Sequence, residues 1–442
     1  RLAAFQNPEF YKKQSMRLST ALTPRVISCV EEFSSNIALP RGCLDELEEL
    51  LQQYGSTLAL DDQRHLGEAL DVRFNGKLTA IQLQAVNTLC KHDIGVFVAP
   101  PGTGKTVVGA WLTAERKRNT LILVHRQPLL DQWVTQLALF LGLEPKDIGR
   151  IGGGKHKPNG RLDVAMIQSL VRKDNVDDLV ANYGHVIVDE CHHLPAVSFE
   201  RVLAEVKARF ITGLTATPQR RDGHHPIIEM QLGPIRFSVD ARNQAVQRPF
   251  IHKLIIRETG FCLNDSDDLR IQTLYQRLTI DEQRNIMIFD DVLHALEAGR
   301  SPIQLTERKE HLDYFAKRLQ SFTPNLIVLQ GGKGNKKRRD DLDRLAAIPD
   351  NEERLVLATG RYIGEGFDDA RLDTLFLALP VSWKGTLIQY AGRLHRLHPD
   401  KTEVHIYDYL DRNVPMLARM FERRLRGYSA IGYSTEEIRM NL

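Results

Sequence analysis

From about residue 92 to residue 218 the chain alternates short apolar runs with amphipathic stretches of helical period. The runs are Ile94 to Val98, Thr120 to Val124, Val164 to Ile167, His185 to Val188 and Phe210 to Leu214. They are apolar throughout rather than at every second position, the pattern of strands buried on both faces of a parallel sheet. The same rhythm returns after residue 300, at Ile303 to Leu305, Leu326 to Leu329, Leu355 to Ala358, Leu375 to Leu379 and Val404 to Tyr407. Two doubly wound α/β domains are therefore expected. A polar, weakly periodic stretch at 240–249 reads as the linker between them. Residues 1 to 75 follow another pattern: a basic opening helix, short strands at Arg25 to Val30, Asn36 to Leu39 and Thr57 to Leu60, and a helix from Leu44 to Tyr54. The expected organisation is a small N-terminal α+β domain over 1–75 and α/β domains over 76–245 and 246–442.

Composition narrows the class but not the chemistry. With 442 residues the chain exceeds one ordinary core. Hydrophobic residues at 42% and charged residues at 26% are those of an average globular protein. No apolar run approaches the roughly 18 residues of a membrane span, and no secretory signal opens the chain, so a cytoplasmic protein without a membrane partner is expected. Five scattered cysteines without a C-x-x-C pair fit a reducing compartment and argue against a zinc ribbon. The formal net charge of +3 permits a nucleic-acid partner without demanding one. The first residue is Arg1 rather than Met, which fits a piece of a longer protein.

The chemistry begins directly after the run ending at Val98. Residues 99 to 106 read Ala-Pro-Pro-Gly-Thr-Gly-Lys-Thr and lead into the helical stretch Val107 to Lys117. A phosphate cradle needs this order: Gly102 and Gly104, in the loop with Pro101 and Thr103, leave backbone N–H groups open to a polyphosphate. Lys105 then adds a positive charge and Thr106 a hydroxyl ligand for Mg²⁺. Downstream, the buried run from His185 ends in Asp189-Glu190-Cys191-His192. A lone Asp-Glu would be a solvated strand end; behind a phosphate loop, Asp189 reads as the holder of a nucleotide-bound Mg²⁺ and Glu190 as the residue that activates water. Leu214-Thr215-Ala216-Thr217-Pro218 leaves another strand, and its hydroxyls are candidates to bond the acidic pair and pass on the nucleotide's state. In the second α/β domain, Gln389 to Arg396 is expected on a helix that places Arg393 and Arg396, three apart, on one face for a γ-phosphate. Gly364-Glu365-Gly366-Phe367-Asp368 precedes it, with glycines that allow close approach to a nucleotide or backbone.

In this order the motifs resemble those of superfamily 2 helicases with a DExH box, over roughly residues 78 to 400. The resemblance implies two tandem RecA-like domains and ATP with Mg²⁺ as cofactor. It makes Gln82, in Leu78-Thr79-Ala80-Ile81-Gln82, the glutamine that recognises adenine. It assigns nucleotide contacts to Gly366 and Asp368, coupling roles to His192, Thr215 and Thr217, and charge stabilisation to Gln389, Arg393 and Arg396. Within the superfamily the chain looks most like XPB-type repair helicases and restriction-type bacterial translocases. Arg220-Arg221-Asp222 resembles the Arg-Glu-Asp element of that group, with arginine at the centre.

The same resemblance implies sequence-independent contacts to DNA, single-stranded or duplex, through phosphates. They would fall at Arg126 with Gln132 and Trp133, at Gly153, at Gln168 and Ser169, at Arg220 and Arg308, at Gly331 and at Thr359. Trp133 itself reads as a packing residue of a helix face. The five basic residues between Lys333 and Arg339 fit either a solvated helix start or a phosphate contact. His192-His193 and His224-His225 lack the cysteines that would complete a zinc site.

The expected activity is that of an ATP-dependent DNA helicase or translocase, in DNA repair or a bacterial defence system. The rival expectation is an ATP-gated clamp or scaffold that switches without unwinding and serves a partner nuclease or primase module. For residues 1 to 75, a duplex-gripping role and a folding cap are both open.

Overall fold

The computed structural model describes residues 2–172, 175–193, 196–217, 224–240, 250–263, 270–330, 335–360, 369–381 and 384–436. The chain forms two compact units, Arg1–Val239 and Asp240–Leu442.

The first unit is built on an eight-stranded sheet. Its strands run, from edge to edge, Ile235–Ser238, Ile94–Val98, Phe210–Thr215, His185–Asp189, Thr120–Val124, Leu162–Met166, Gly149–Gly152 and Lys155–Lys157. Every neighbouring pair is parallel except the last, an antiparallel hairpin at the edge. Parallel pairing requires crossovers, and helices on both faces cover the apolar runs. One face packs around Phe97, Ile122, Leu130 and Trp133; the other packs around Val96, Leu121, Phe199 and Ile227.

Residues 2–75 belong to this unit and pack against it. The Arg41 guanidinium donates to the carbonyl oxygens of Leu203 and Val206 at 2.7 and 2.8 Å, and Leu70 joins the core around Phe97. The helix from Leu44 is present as Leu44–Gln53, after a strand pair at Glu31–Glu32 and Ile37–Ala38. The strand expected at Thr57 to Leu60 is absent: these residues take no strand partner. Their alternation of Thr, Leu, Ala and Leu has no sheet edge to pair with, and Leu60 stays exposed.

The second unit carries a seven-stranded, wholly parallel sheet ordered Leu326–Leu329, Leu355–Thr359, Pro302–Thr306, Thr374–Leu377, Glu403–Leu410, Ile251–Glu258 and Ser434–Glu436. Two of these strands, Ile251–Glu258 and Ser434–Glu436, lie outside the five runs read from the sequence. Buried ion pairs brace the unit. Arg424 holds both oxygens of Asp408 at 2.7 and 2.9 Å, and Tyr428 donates to the same carboxylate at 2.7 Å. Arg284 donates to Asp411 at 3.0 Å and to the Ala378 carbonyl oxygen at 2.6 Å.

Candidate functional site

In a parallel sheet the loops that leave the C-terminal strand ends converge on one edge, and the first unit uses that edge. The strand Ile94–Val98 runs into the loop at 99–104, and the helix Lys105–Arg116 begins at its end. Gly102 and Gly104 have φ of +85° and +84°. Side chains avoid that region, so the glycines let the backbone fold back over itself. Gly104 caps the helix without a side-chain hydrogen bond, so the first-turn N–H groups point into the loop, where an anion would take them up. Thr103 braces the turn, its hydroxyl donating to the Pro100 carbonyl oxygen at 2.7 Å.

Lys105 is nearly buried. Its ammonium donates to the Ala99 carbonyl oxygen at 3.1 Å and stands 3.6 Å from Glu190 Oε1. Glu190 follows the strand His185–Asp189 with a φ of +46°, a left-handed backbone in a non-glycine residue. Such conformations cost on the order of 1–3 kcal/mol and gather at functional sites. Here the turn brings the Glu190 carboxylate to the lysine, and the Glu190 N–H donates to Asp189 Oδ1 at 3.0 Å.

Asp189 is 5% exposed. Burial, reinforced by the neighbouring Glu190 charge, pushes its carboxyl up to about 6, against the opposing pull of the Trp133 N–H and of Lys105. The strand that carries this carboxyl lies two strands from the one that leads into the phosphate loop.

Two further contacts tie the acidic pair to its surroundings. His192 Nδ1 lies 3.4 Å from Glu190 Oε2 and 2.7 Å from the Thr215 hydroxyl. That hydroxyl donates to the Thr217 carbonyl oxygen at 2.6 Å and accepts from the Thr217 N–H at 3.2 Å. On the other side, the buried Trp133 indole donates Nε1–H to Asp189 Oδ2 at 2.7 Å. Trp133 packs in its helix as the sequence suggests. At 1% exposure it is closed to a base, which corrects its place among the nucleic-acid contacts. Its bond to Asp189 joins residues 56 apart and leaves no mark in local periodicity.

Gln82 sits in a capping box with Thr79 at the start of the helix Ala80–Leu89, its Oε1 accepting from Thr79 N–H at 2.9 Å. Its Nε2 donates to the Thr103 carbonyl oxygen at 2.8 Å, so the glutamine is fastened to the phosphate loop.

The residues expected to meet nucleic acid in this unit gather on a neighbouring sector of the same sheet edge. Arg126 is exposed and begins the helix Gln127–Leu141 after the strand Thr120–Val124. Gly153 turns the edge hairpin, and Gln168 and Ser169 follow the strand Leu162–Met166. The Gln168 amide donates to the His125 carbonyl oxygen at 3.2 Å, linking two of these strand ends.

In the second unit, Arg308 and Thr359 end the adjacent strands Pro302–Thr306 and Leu355–Thr359 or follow them directly. The Tyr390 hydroxyl donates to Glu307 Oε1 at 3.1 Å. Arg393 occupies the last turn of the helix Lys384–Leu394, with Gln389 one turn earlier and 9% exposed. Arg396 lies beyond the helix end, which corrects the expectation that both arginines share one helix face. Lys401 caps that end: its ammonium, 7% exposed, donates to the carbonyl oxygens of Leu394, Arg396 and Ala370 at 3.0, 2.9 and 2.7 Å. A cation on the terminal carbonyls favours a helix that ends there over one that runs on to Arg396. Gly366, Asp368, Arg220 and Gly331 lie outside the described residues.

The residues fit ATP and Mg²⁺. Positive-φ glycines, open first-turn N–H groups and a lysine suit a triphosphate; a buried carboxylate and the half-buried Thr106 suit Mg²⁺, which takes few protein ligands and completes its shell with phosphate and water. Among the described residues, no cluster of three or more His, Cys, Asp or Glu could hold a metal alone.

A phosphate loop and an acidic pair on one edge of a parallel sheet define a P-loop nucleotide site, and the second parallel unit makes the fold that of tandem RecA-like proteins. Residues 75–220 match the family model described as "Type III restriction enzyme, res subunit". The DNA 3'-5' translocase XPB2 of Sulfurisphaera tokodaii is 29% identical over 202 residues, 46% of this chain and 44% of that protein. The DNA 3'-5' helicase XPB of Kineococcus radiotolerans is 29% identical over 274 residues, 59% of this chain and 48% of that protein. Probable helicase D10 of Escherichia phage T5 is 25% identical over 389 residues, 88% of this chain and 83% of that protein. Over these stretches the chain is similar to helicases of the XPB and restriction-type kind, and it spans about half the length of the XPB relatives it matches.

Among solved structures, the Type ISP restriction-modification enzyme LlaBIII bound to DNA is similar in fold, with a TM-score of 0.58 at 16% identity over 80% of this chain and 30% of that one. S. cerevisiae Dbp5 bound to RNA and ADP BeF3 is similar with a TM-score of 0.57 at 14% identity, over 81% of this chain and 90% of that one.

Proposed function

We propose that the chain hydrolyses ATP and uses it to move along DNA as a helicase or translocase, as the names of its XPB relatives describe for those proteins. The observation that carries this reading is the meeting of Lys105 and Glu190 at 3.6 Å beside the buried Asp189, on the edge that also bears the phosphate loop. Lys105 and the loop amides bind the phosphates, Gln82 reads adenine, and Thr106 with Asp189 holds the metal. Bound there, Mg²⁺ neutralises charge on the phosphate oxygens. Glu190 orients and deprotonates the attacking water, and His192, Thr215 and Thr217 carry the change at Glu190 to the rest of the unit. The second unit contributes Gln389, Arg393 and Arg396 to charge stabilisation, together with Gly366 and Asp368.

Arg126, Gly153, Gln168, Ser169 and Arg220 of the first unit, and Arg308, Gly331 and Thr359 of the second, contact phosphates without reading bases. A cytoplasmic role in DNA repair or in a defence system with a nuclease or primase partner fits this reading.

ATP turnover measured with single-stranded DNA, duplex, forked DNA and RNA tests it. Stimulation by DNA is expected; turnover indifferent to all four would overturn the reading. Displacement of a triplex-forming strand is expected of a motor, and stimulated turnover without displacement would favour the clamp.

A further inference from the structure

The helix Gln127–Leu141 touches both functional sectors of the first unit. Its start carries Arg126 on the strand-end sector assigned to nucleic acid, and its second turn carries Trp133, whose indole N–H grips Asp189 Oδ2. The indole is a rigid bicycle without torsional slack beyond χ2, and it is 1% exposed. It is also wedged at its far side. A methyl group at Gly109, on the helix Lys105–Arg116, would run into the six-membered ring of Trp133, so the phosphate-loop helix is hollowed to seat it. Trp133 therefore touches the helix that begins at the phosphates, the carboxylate at the end of the acidic strand, and the helix that begins at Arg126.

We propose that Trp133 is a positioning residue through which the helix Gln127–Leu141 sets the orientation of the Asp189 carboxylate. Occupation of the Arg126 end by nucleic acid then changes how readily Asp189 takes up Mg²⁺ with nucleotide. The inference rests on the nucleotide reading above. Physically, a carboxylate with one oxygen fixed by a strong N–H donor presents its other oxygen in a fixed direction, and losing such an outer partner typically costs a metal site about 10- to 100-fold in affinity. A displacement of the helix start is delivered to the carboxylate because the ring and its seat are close-packed.

The test is binding rather than turnover. A fluorescent, non-hydrolysable ATP analogue is titrated with Mg²⁺, with and without duplex DNA, on the wild-type chain and on Trp133→Phe. For the wild type, DNA is expected to lower the Mg²⁺ concentration at half-saturation several-fold. For Trp133→Phe, half-saturation is expected to need roughly tenfold more Mg²⁺, and DNA is expected to leave it unmoved, while analogue binding without Mg²⁺ stays as in the wild type. A Trp133→Phe chain that matches the wild type in Mg²⁺ requirement and DNA response overturns the proposal. Should phenylalanine disturb folding, β-(3-benzothienyl)alanine at position 133, in a Trp111→Phe, Trp383→Phe background, keeps the ring's shape and removes only the N–H; the same two outcomes apply. A wild type that binds no analogue even at high Mg²⁺ would instead reject the nucleotide reading itself.

Discussion

The Thr215 hydroxyl accepts a hydrogen bond from His192. The hydroxyl has one proton, which goes to the Thr217 carbonyl oxygen at 2.6 Å, so the contact of 2.7 Å to His192 Nδ1 requires the proton to sit on the ring nitrogen. The same Nδ1–H faces Glu190 Oε2 at 3.4 Å. The imidazole thus stands between the Glu190 carboxylate and a threonine whose hydroxyl is bonded onward to the Thr217 backbone.

Thr215→Ala should break that link and leave the phosphate loop intact. The expected result is ATP affinity and unstimulated turnover within about twofold of wild type, with stimulation by DNA reduced at least roughly fivefold, the lower end of ordinary coupling between sites. Steady-state turnover with and without DNA measures both.

Glu190→Gln keeps the shape of the side chain and removes its basicity. Turnover should fall by about 10²- to 10⁴-fold, the usual contribution of a positioned base, with analogue binding retained. Loss of binding would show that Glu190 is structural. Arg396→Ala should lower turnover by roughly 10³-fold or more and spare ATP binding, as removal of an arginine that meets transition-state charge does. Near-normal turnover in that variant would remove Arg396 from the site.

Asp408→Ala tests the bracing of the second unit. The Arg424 guanidinium is buried and would be left without its carboxylate, which typically costs about 3–5 kcal/mol. Urea unfolding followed by far-UV circular dichroism should show a lower midpoint for the second unit, and a change under about 1 kcal/mol would contradict the assignment.

Stability should fall in mild acid. Burial, with a smaller push from Arg116, brings His185 down to about 3; burial, with Arg284, does the same to His311. The native rings stay neutral while the unfolded chain takes up protons below its ordinary histidine value near 6.5. Each ring's contribution is therefore complete above that pH and is lost as pH falls toward about 3. The slope per histidine is about 1.4 kcal/mol per pH unit. His311 Nε2–H donates to Asn285 Oδ1 at 2.8 Å while Nδ1 accepts from the Thr306 hydroxyl at 3.0 Å, a pairing that only the neutral ring makes. His311→Gln should be less stable at pH 7 yet show a shallower loss between pH 7 and pH 5 in urea titrations.

Strands buried on both faces announce themselves through continuous apolar runs, and Ile94–Val98, Thr120–Val124 and Leu355–Thr359 lie where those runs predict. The edge strands are harder to read. Lys155–Lys157 is wholly exposed, and Ile235–Ser238 mixes Arg and Ser with its apolar residues, because an edge needs no second buried face. Ile251–Glu258 lies inside its sheet but is interrupted by Lys253 and Arg257, which pair with Glu403 and Asp291, and by His252, which packs against the rings of Phe250, His395 and Tyr433. At the site, Lys105, Asp189 and Glu190 were legible because short motifs fix their chemistry. Trp133 and Lys401 were not, because their partners lie across the fold or depend on where a helix stops.

Lys401 also bears on motion. By fastening Ala370, Leu394 and Arg396 to one ammonium, it makes the end of the arginine helix and the loop beyond it a single mechanical piece. The main chain from which Arg393 and Arg396 project is thereby anchored at one point, so the spacing between their backbones is set by a residue that lies outside the motif itself.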